Sequence, residues 1–264
     1  MGEVPDLSGS VGFQEVALAV LLVGVGAAVS RLRGLHLEAD MGLATVRSFV
    51  QLLAIGYVLA FVFDGHGALA LMVLAVMVGT ATLTTRGRAR RVPGAGVIGA
   101  TSLLAASAGT LGVLSGLGII PLHARAVVPL GSMVIAQAMN TASLVMTRLR
   151  DDLATNRREV EARLSLGQTA HQASLPWHRA ALRSGMLPIV DNTKVAGLVF
   201  LPGAMTGMIL AGASPDAAIR LQLVVMYMLL GGNAFASLVA GELCVRRLFT
   251  PDHQLVRSLR RVPT

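Results

Sequence analysis

The 264-residue chain is 54% hydrophobic, only 14% charged and 4% aromatic, with a formal net charge of +8. A soluble domain carries about 25% charged residues, so this deficit, with a mean hydropathy of +0.68, excludes a water-soluble globular protein and points to a membrane solvent. Few aromatic rings accompany the basic residues, which excludes a base-stacking nucleic-acid platform; a single cysteine, Cys244, excludes a disulfide framework or a cysteine metal cage.

The first ten residues carry Glu3 and Asp6 but no Lys or Arg, so no cleavable signal peptide is read there. A spanning helix needs about 20 mostly apolar residues. Seven segments qualify: 13–30, 43–63, 67–85, 95–117, 126–147, 188–211 and 217–241. The first is the weakest, because Glu15 leaves a clean run of only 16–30. Glycine and alanine are frequent in these runs, as at Gly94, Gly96, Gly99, Ala105, Ala106 and Gly109. Such residues let transmembrane helices pack closely. The sixth segment holds Leu201-Pro202-Gly203 near its centre. Proline removes a donor and glycine loosens the backbone, so a kink or break is expected there, of the kind that can line a pathway. Cys244, at the end of an apolar run, reads as a small buried or lipid-facing residue. The fold expected is all-α: a polytopic membrane helical bundle of about seven transmembrane helices, a single domain over 1–264 with 148–187 as a helical cytoplasmic segment within it.

Orientation follows from where the basic residues fall. Eighteen of the 22 lie after the first, third, fifth and seventh segments, all on alternate loops, including Arg31, Arg86, Arg90, Arg148, Arg157 and Arg246. The opposite loops hold only Arg125, while Arg47, Lys194 and Arg220 lie near segment ends. This predicts an outside N-terminus and a cytoplasmic C-terminus for a multi-pass protein of the cell (inner or plasma) membrane.

Polar residues inside the spans are few. Gln51, Gln137, Asn140, Gln222 and Asn233 are uncharged hydrogen-bonders, whose ordinary role is helix–helix bonding and whose alternative role is lining a route. Asp191 and Lys194, three apart, fall on one helix face as an ion pair with a snorkelling lysine or as a gate. Met205, Thr206 and Met208 follow the predicted break, and thioethers suit soft cations better than hard iron. The six histidines (His36, His66, His123, His171, His178 and His253) are not paired at ligand spacing inside spans, so no metal ligands are assigned. No Ser/His/Asp arrangement sits in an apolar run, which gives an intramembrane hydrolase no support.

In the cytoplasmic segment Glu161-Ala162, followed by Gly167, resembles the coupling-loop motif of ATP-binding-cassette permeases. A second resemblance is denser. Pro188-Ile189-Val190-Asp191-Asn192-Thr193-Lys194, then Gly197-Leu198-Val199, Leu201-Pro202-Gly203-Ala204-Met205-Thr206-Gly207 and Gly212-Ala213-Ser214-Pro215 closely resemble the bacterial iron-export ATP-binding-cassette permease family, related to plant aluminium-tolerance transporter subunits. Pro129-Leu130-Gly131-Ser132-Met133 and Val50-Gln51-Leu52 are similar but looser, and the chain departs from the family at Ile135-Ala136-Gln137. The resemblance implies a permease subunit, not an enzyme, that forms a homodimer and docks an ATP-binding subunit through Glu161, Ala162 and Gly167. It implies iron as the exported solute. The only lysine, Lys194, is not in a P-loop, so ATP and magnesium would be held by the partner, with no cofactor in this chain. Gln51, Gln137, Asn140, Asp191, Asn192, Lys194, Pro202, Gly203, Met205, Thr206 and Gln222 are the pathway or gate candidates. The alternatives are an ATP-independent secondary transporter or channel, a permease for another solute, or a membrane anchor.

Overall fold

The computed structural model describes residues 12–63, 67–121, 123–256 and 259. Glu3, Asp6, His66, Arg257, Arg260 and Arg261 lie outside the described residues. Those described form the helices α1 (Phe13–Leu32), α2 (Glu38–Phe63), α3 (Gly67–Arg88), α4 (Ala95–Gly116), α5 (Ala124–Thr155), α6 (Arg157–Ser165), α7 (Ala170–Val195), α8 (Gly203–Leu210) and α9 (Pro215–Leu248). Among the described residues six helices, α1 to α5 and α9, are long and apolar enough to cross a membrane. They coincide with six of the seven predicted spans. At 1.5 Å per residue, α5 (32 residues) and α9 (34 residues) are each about 50 Å long. That exceeds a hydrocarbon core of about 30 Å, so both must project beyond it.

The predicted span 188–211 is realised differently. Its first part is the end of α7, which starts far upstream inside the predicted cytoplasmic segment. The helix stops at Val195, and a turn follows in which Gly197 adopts φ +82° and donates to the Phe200 carbonyl at 2.9 Å. Pro202 then disfavours helix for the residue before it, and α8 begins at Gly203. The break expected at Pro202-Gly203 is therefore present, but it opens already at Ala196, where a left-handed glycine ends one helix before proline starts the next.

The chain forms two compact units. One contains α1 and α2 together with 207–213. Its α1–α2 turn is fixed by the buried Ser30, whose hydroxyl accepts from the Leu37 amide at 3.0 Å. Only 6% of the most apolar stretch of either helix is buried. Leu22, Leu32, Tyr57 and Phe61 stand exposed; each such side chain left in water forgoes about 1.5–3 kcal/mol, so these faces require lipid or protein against them.

The other unit contains α3, α4, α5, α6, α7 and α9. Here α5 is central and packs against α3, α4, α7 and α9. Leu103, Val134, Ala138, Val225 and Met228 fill one core. Val145, Leu149, Leu153, Val160, Ala173, Cys244 and Leu248 fill a second, which Leu255 closes from the C-terminal segment. Cys244 is thus a buried core residue.

Glycines set the helix spacing within this unit. A Cβ on Gly99 would fall 2.9 Å from the Thr85 side chain, and one on Gly241 would fall 2.6 Å from His178 Nε2. On Gly185 it would overlap Val145 outright. Hydroxyls in the long helices mostly bond within their own helix: Thr85 donates to the Ala81 carbonyl at 2.9 Å, Ser102 to Ile98 at 2.7 Å and Ser143 to Met139 at 2.7 Å. This internal satisfaction is what a solvent without donors or acceptors demands.

Because Val145 and the Thr141 backbone leave no room at Gly185, Gly185→Val is expected to cost about 1–3 kcal/mol by overpacking. The measurement is the thermal unfolding midpoint of the purified protein in detergent, which falls in the variant.

Candidate functional site

The segment predicted to be cytoplasmic and to carry the coupling motif contracts around one short helix. α5 runs on to Thr155 and α7 begins at Ala170, so only α6 and its flanking turns stand between them. On its inner side α6 buries Val160 completely and packs Leu164 against the same core. Its outer side presents Arg158, Ala162 and Ser165, and just beyond it Leu166 is 83% exposed.

Two devices fix where α6 stops and α7 starts. Gly167 takes φ +84°, the left-handed conformation that terminates helices. Thr169 then caps α7 in a reciprocal box: its hydroxyl accepts from the Gln172 amide at 3.3 Å, and its own amide donates to Gln172 Oε1 at 3.0 Å. Glu161 accepts from Arg157 Nε at 2.8 Å, one turn apart on α6. Arg163 pairs with Glu159 at 2.7 Å and stacks its guanidinium 5.3 Å from the Trp177 ring centroid, tying α6 to α7. The C-terminal turn borders the same region, with Asp252, His253 and Gln254 sharing an open groove with Arg157, Glu161 and Gly167. His253 Nδ1 accepts the Ala170 amide at 3.3 Å, so this turn also caps α7. Nothing in the sequence places the C-terminal turn beside Glu161 and Gly167; only its folded position brings it there.

Deeper in the bundle, α5, α7 and α9 meet at a polar knot. The Thr141 hydroxyl bonds Asn233 Oδ1 and lies 3.4 Å from the Gly185 carbonyl, while Asn233 Nδ2 donates to the Leu229 carbonyl at 2.7 Å. Asn233 is 1% exposed. Its role is the helix–helix bonding that an intramembrane amide normally serves. Thr141 and Gly185 carried no sequence signal beyond being small.

The pathway candidates scatter. Gln222 is buried on α9, and its Oε1 has no hydrogen-bond partner among the described residues. Gln137 is half-buried on α5. Asn140, one residue from Thr141, is instead exposed and accepts from Arg88 at 2.6 Å. Asp191 and Lys194 pair at 3.2 Å on the exposed end of α7, with Asn192 exposed beside them. Pro202 and Thr206 are joined at the start of α8, the hydroxyl donating to the Pro202 carbonyl at 3.2 Å; Gly203 is exposed and Met205 half-buried. Gln51 is exposed on α2, in the other unit. No group of three or more His, Cys, Asp or Glu among the described residues could hold a metal ion.

His178 is the ionisable residue whose setting the sequence did not reveal. It is buried against Gly241, and its Nε2 has no hydrogen-bond partner among the described residues. Burial lowers its pKa below the ordinary 6.5, the neighbouring His171 lowers it further, and Glu242 opposes both. The ring of His171 lies 5.7 Å away, with its Nδ1 3.7 Å from Glu242. The unfolded chain therefore takes up this proton first as the pH falls. Stability from the neutral ring is complete above about pH 6.5 and is lost progressively below it. Between about pH 7.5 and 5.5 the unfolding midpoint should drop further in the parent protein than in His178→Gln; equal drops would contradict the assignment.

The family model described as "Uncharacterised protein family (UPF0014)" matches residues 13–249. The rice protein "UPF0014 membrane protein STAR2" is 39% identical, over 93% of this chain and 86% of the relative. The Arabidopsis thaliana "Protein ALUMINUM SENSITIVE 3" is 38% identical, over 92% and 90%. The Escherichia coli K12 "Probable iron export permease protein FetB" is 32% identical, over 92% and 94%. No solved structure matches the chain.

Proposed function

The chain belongs to the UPF0014 family of membrane proteins, and on that premise we propose that it is the membrane permease subunit of an ATP-binding-cassette exporter. The observation that carries this reading is α6. It is a short helix with its inner face fixed in the bundle through Val160 and Leu164, its outer face open, and a left-handed Gly167 turning the chain directly into α7. A helix so mounted can be pushed by a partner without unfolding, and the push passes into α5 and α7, which it joins.

In this reading Ala162 and the exposed Leu166 meet the ATP-binding subunit, while Glu161 holds Arg157 in place at 2.8 Å. The partner supplies the P-loop and its magnesium, since the lone Lys194 does not lie in one. Two copies of the permease assemble with two such subunits, with the C-terminus and α6 on the cytoplasmic side. Iron is the cargo to test first, because the E. coli relative is named a probable iron export permease. The polar residues of α5 and α9 with the fewest internal partners, Gln137 and Gln222, are the first route candidates.

Ala162→Arg adds a long charge to the outer face, and Gly167→Val places a side chain at φ +84°. Each is expected to reduce co-purification of the P-loop subunit about tenfold, equivalent to roughly 1.4 kcal/mol of binding. The permease itself should still elute as a single folded species in detergent. Undiminished co-purification together with unaltered transport in both variants would remove the coupling role from α6.

A further inference from the structure

The turn joining α3 to α4 borders an open cavity of about 850 Å³ that the transport reading does not use. Its polar rim carries two guanidinium groups, Arg86 and Arg90, both on exposed residues. Among the described residues neither has a hydrogen-bond or ion-pair partner, and no carboxylate lines the cavity. The acid nearest in the adjoining cavity, Asp151, is already held by Arg150 at 2.7 Å. Two arginines on one lining, with no carboxylate to offset them, make a positive field that favours an anion.

The other walls say which kind of anion. Gly94 and Gly96 contribute no side chain to the walls; Arg247 lies beside Gly94, its Nε 3.5 Å from where a Cβ would stand, and the aliphatic stem of Arg86 lies over Gly96, its Cδ 3.5 Å from where a Cβ would stand. Arg86 follows directly on an uncharged apolar run, 65–85, so the cavity sits at the boundary of the membrane-crossing part of α3. Below the arginines it is lined by Leu83 and Val97, 66% and 57% exposed. A soluble anion would engage the guanidinium groups and leave these two side chains bare. A phospholipid engages both, its phosphate taken by the forked arginine donors and its upper acyl segment by the leucine and valine.

We propose that this cavity is a binding site for an anionic phospholipid, with Arg86 and Arg90 holding the headgroup phosphate and Leu83 and Val97 the first part of an acyl chain. It differs from ordinary interfacial snorkelling, in which isolated arginines reach a diffuse layer of headgroups without a shared cleft and apolar lining beside them. The bound lipid staples the α3 end to the start of α4, near where Gly99 packs tightly against Thr85.

The test places a reporter in the site. Leu83→Trp, in a full-length chain also carrying Trp177→Phe, is reconstituted in vesicles of equal parts phosphatidylglycerol and phosphatidylcholine, with one or the other lipid brominated. Brominated phosphatidylglycerol should quench the tryptophan with a relative affinity about tenfold above that of brominated phosphatidylcholine. The preference should fall to about unity when Arg86→Gln and Arg90→Gln are added, and inorganic phosphate should not displace the lipid. A control pair, Arg31→Gln with Arg33→Gln, removes the same charge elsewhere and should keep the preference. Equal quenching by both lipids, or a preference that survives Arg86→Gln with Arg90→Gln, would overturn the proposal. Loss of the preference in the control pair would reduce it to bulk charge, and displacement by inorganic phosphate would make the site one for a free anion.

Discussion

Gly185 and Gly241 leave α7 so close to α5 and α9 that no side chain fits at either crossing, and much of the second unit depends on that proximity. In lipid there is little hydrophobic force to drive one apolar helix against another, so packing and interhelical hydrogen bonds must hold the bundle. The glycines bring the backbones within reach. Thr141 and Asn233 then bond across the gap, and the Ser237 hydroxyl reaches the Leu182 carbonyl at 3.5 Å. Without the close approach these polar groups would be buried and unpaired, at a cost of several kcal/mol each in hydrocarbon.

The same three helices support α6. α5 delivers the chain to it, α7 carries the chain away, and α9 supplies Leu248 and Cys244 to the core on which Val160 rests. The C-terminal segment returns to this core through Leu255, while His253 caps α7. Force applied at α6 therefore meets a clamped helix pair and not a loose loop. From α6 the chain continues along α7 to the break at Ala196, where helical hydrogen bonding stops. Leu198 and Val199 in that turn are exposed, the kind of lightly packed place where a helix can hinge.

Most of the bundle was legible in the sequence because bilayer thickness imposes a length that apolar runs must meet. Six of the seven predicted spans are long helices for that reason. The seventh shows the limit of the argument: hydropathy averages over a window and cannot see that Gly197 turns left-handed, so 188–211 looked continuous apart from Pro202. Of the resembled motif, Glu161 and Ala162 fall inside α6 and Gly167 lies two residues past its end in the left-handed turn. Polar residues were less legible. Asn140 and Thr141 are adjacent, and a sequence reading favours the amide, yet the helix rotation turns the threonine to Asn233 and leaves the asparagine outside with Arg88. The burial of His178 was not legible, because the glycine that makes room for it, Gly241, lies on a different helix.

The central claim is that this chain moves its cargo only when a separate ATP-binding subunit drives it. The direct measurement is iron flux in lipid vesicles containing the chain with and without a P-loop subunit, in the presence of hydrolysable or non-hydrolysable ATP. The account predicts flux only when both proteins and hydrolysable ATP are present. Flux from this chain alone, indifferent to ATP, would contradict it and identify a transporter that works without a motor.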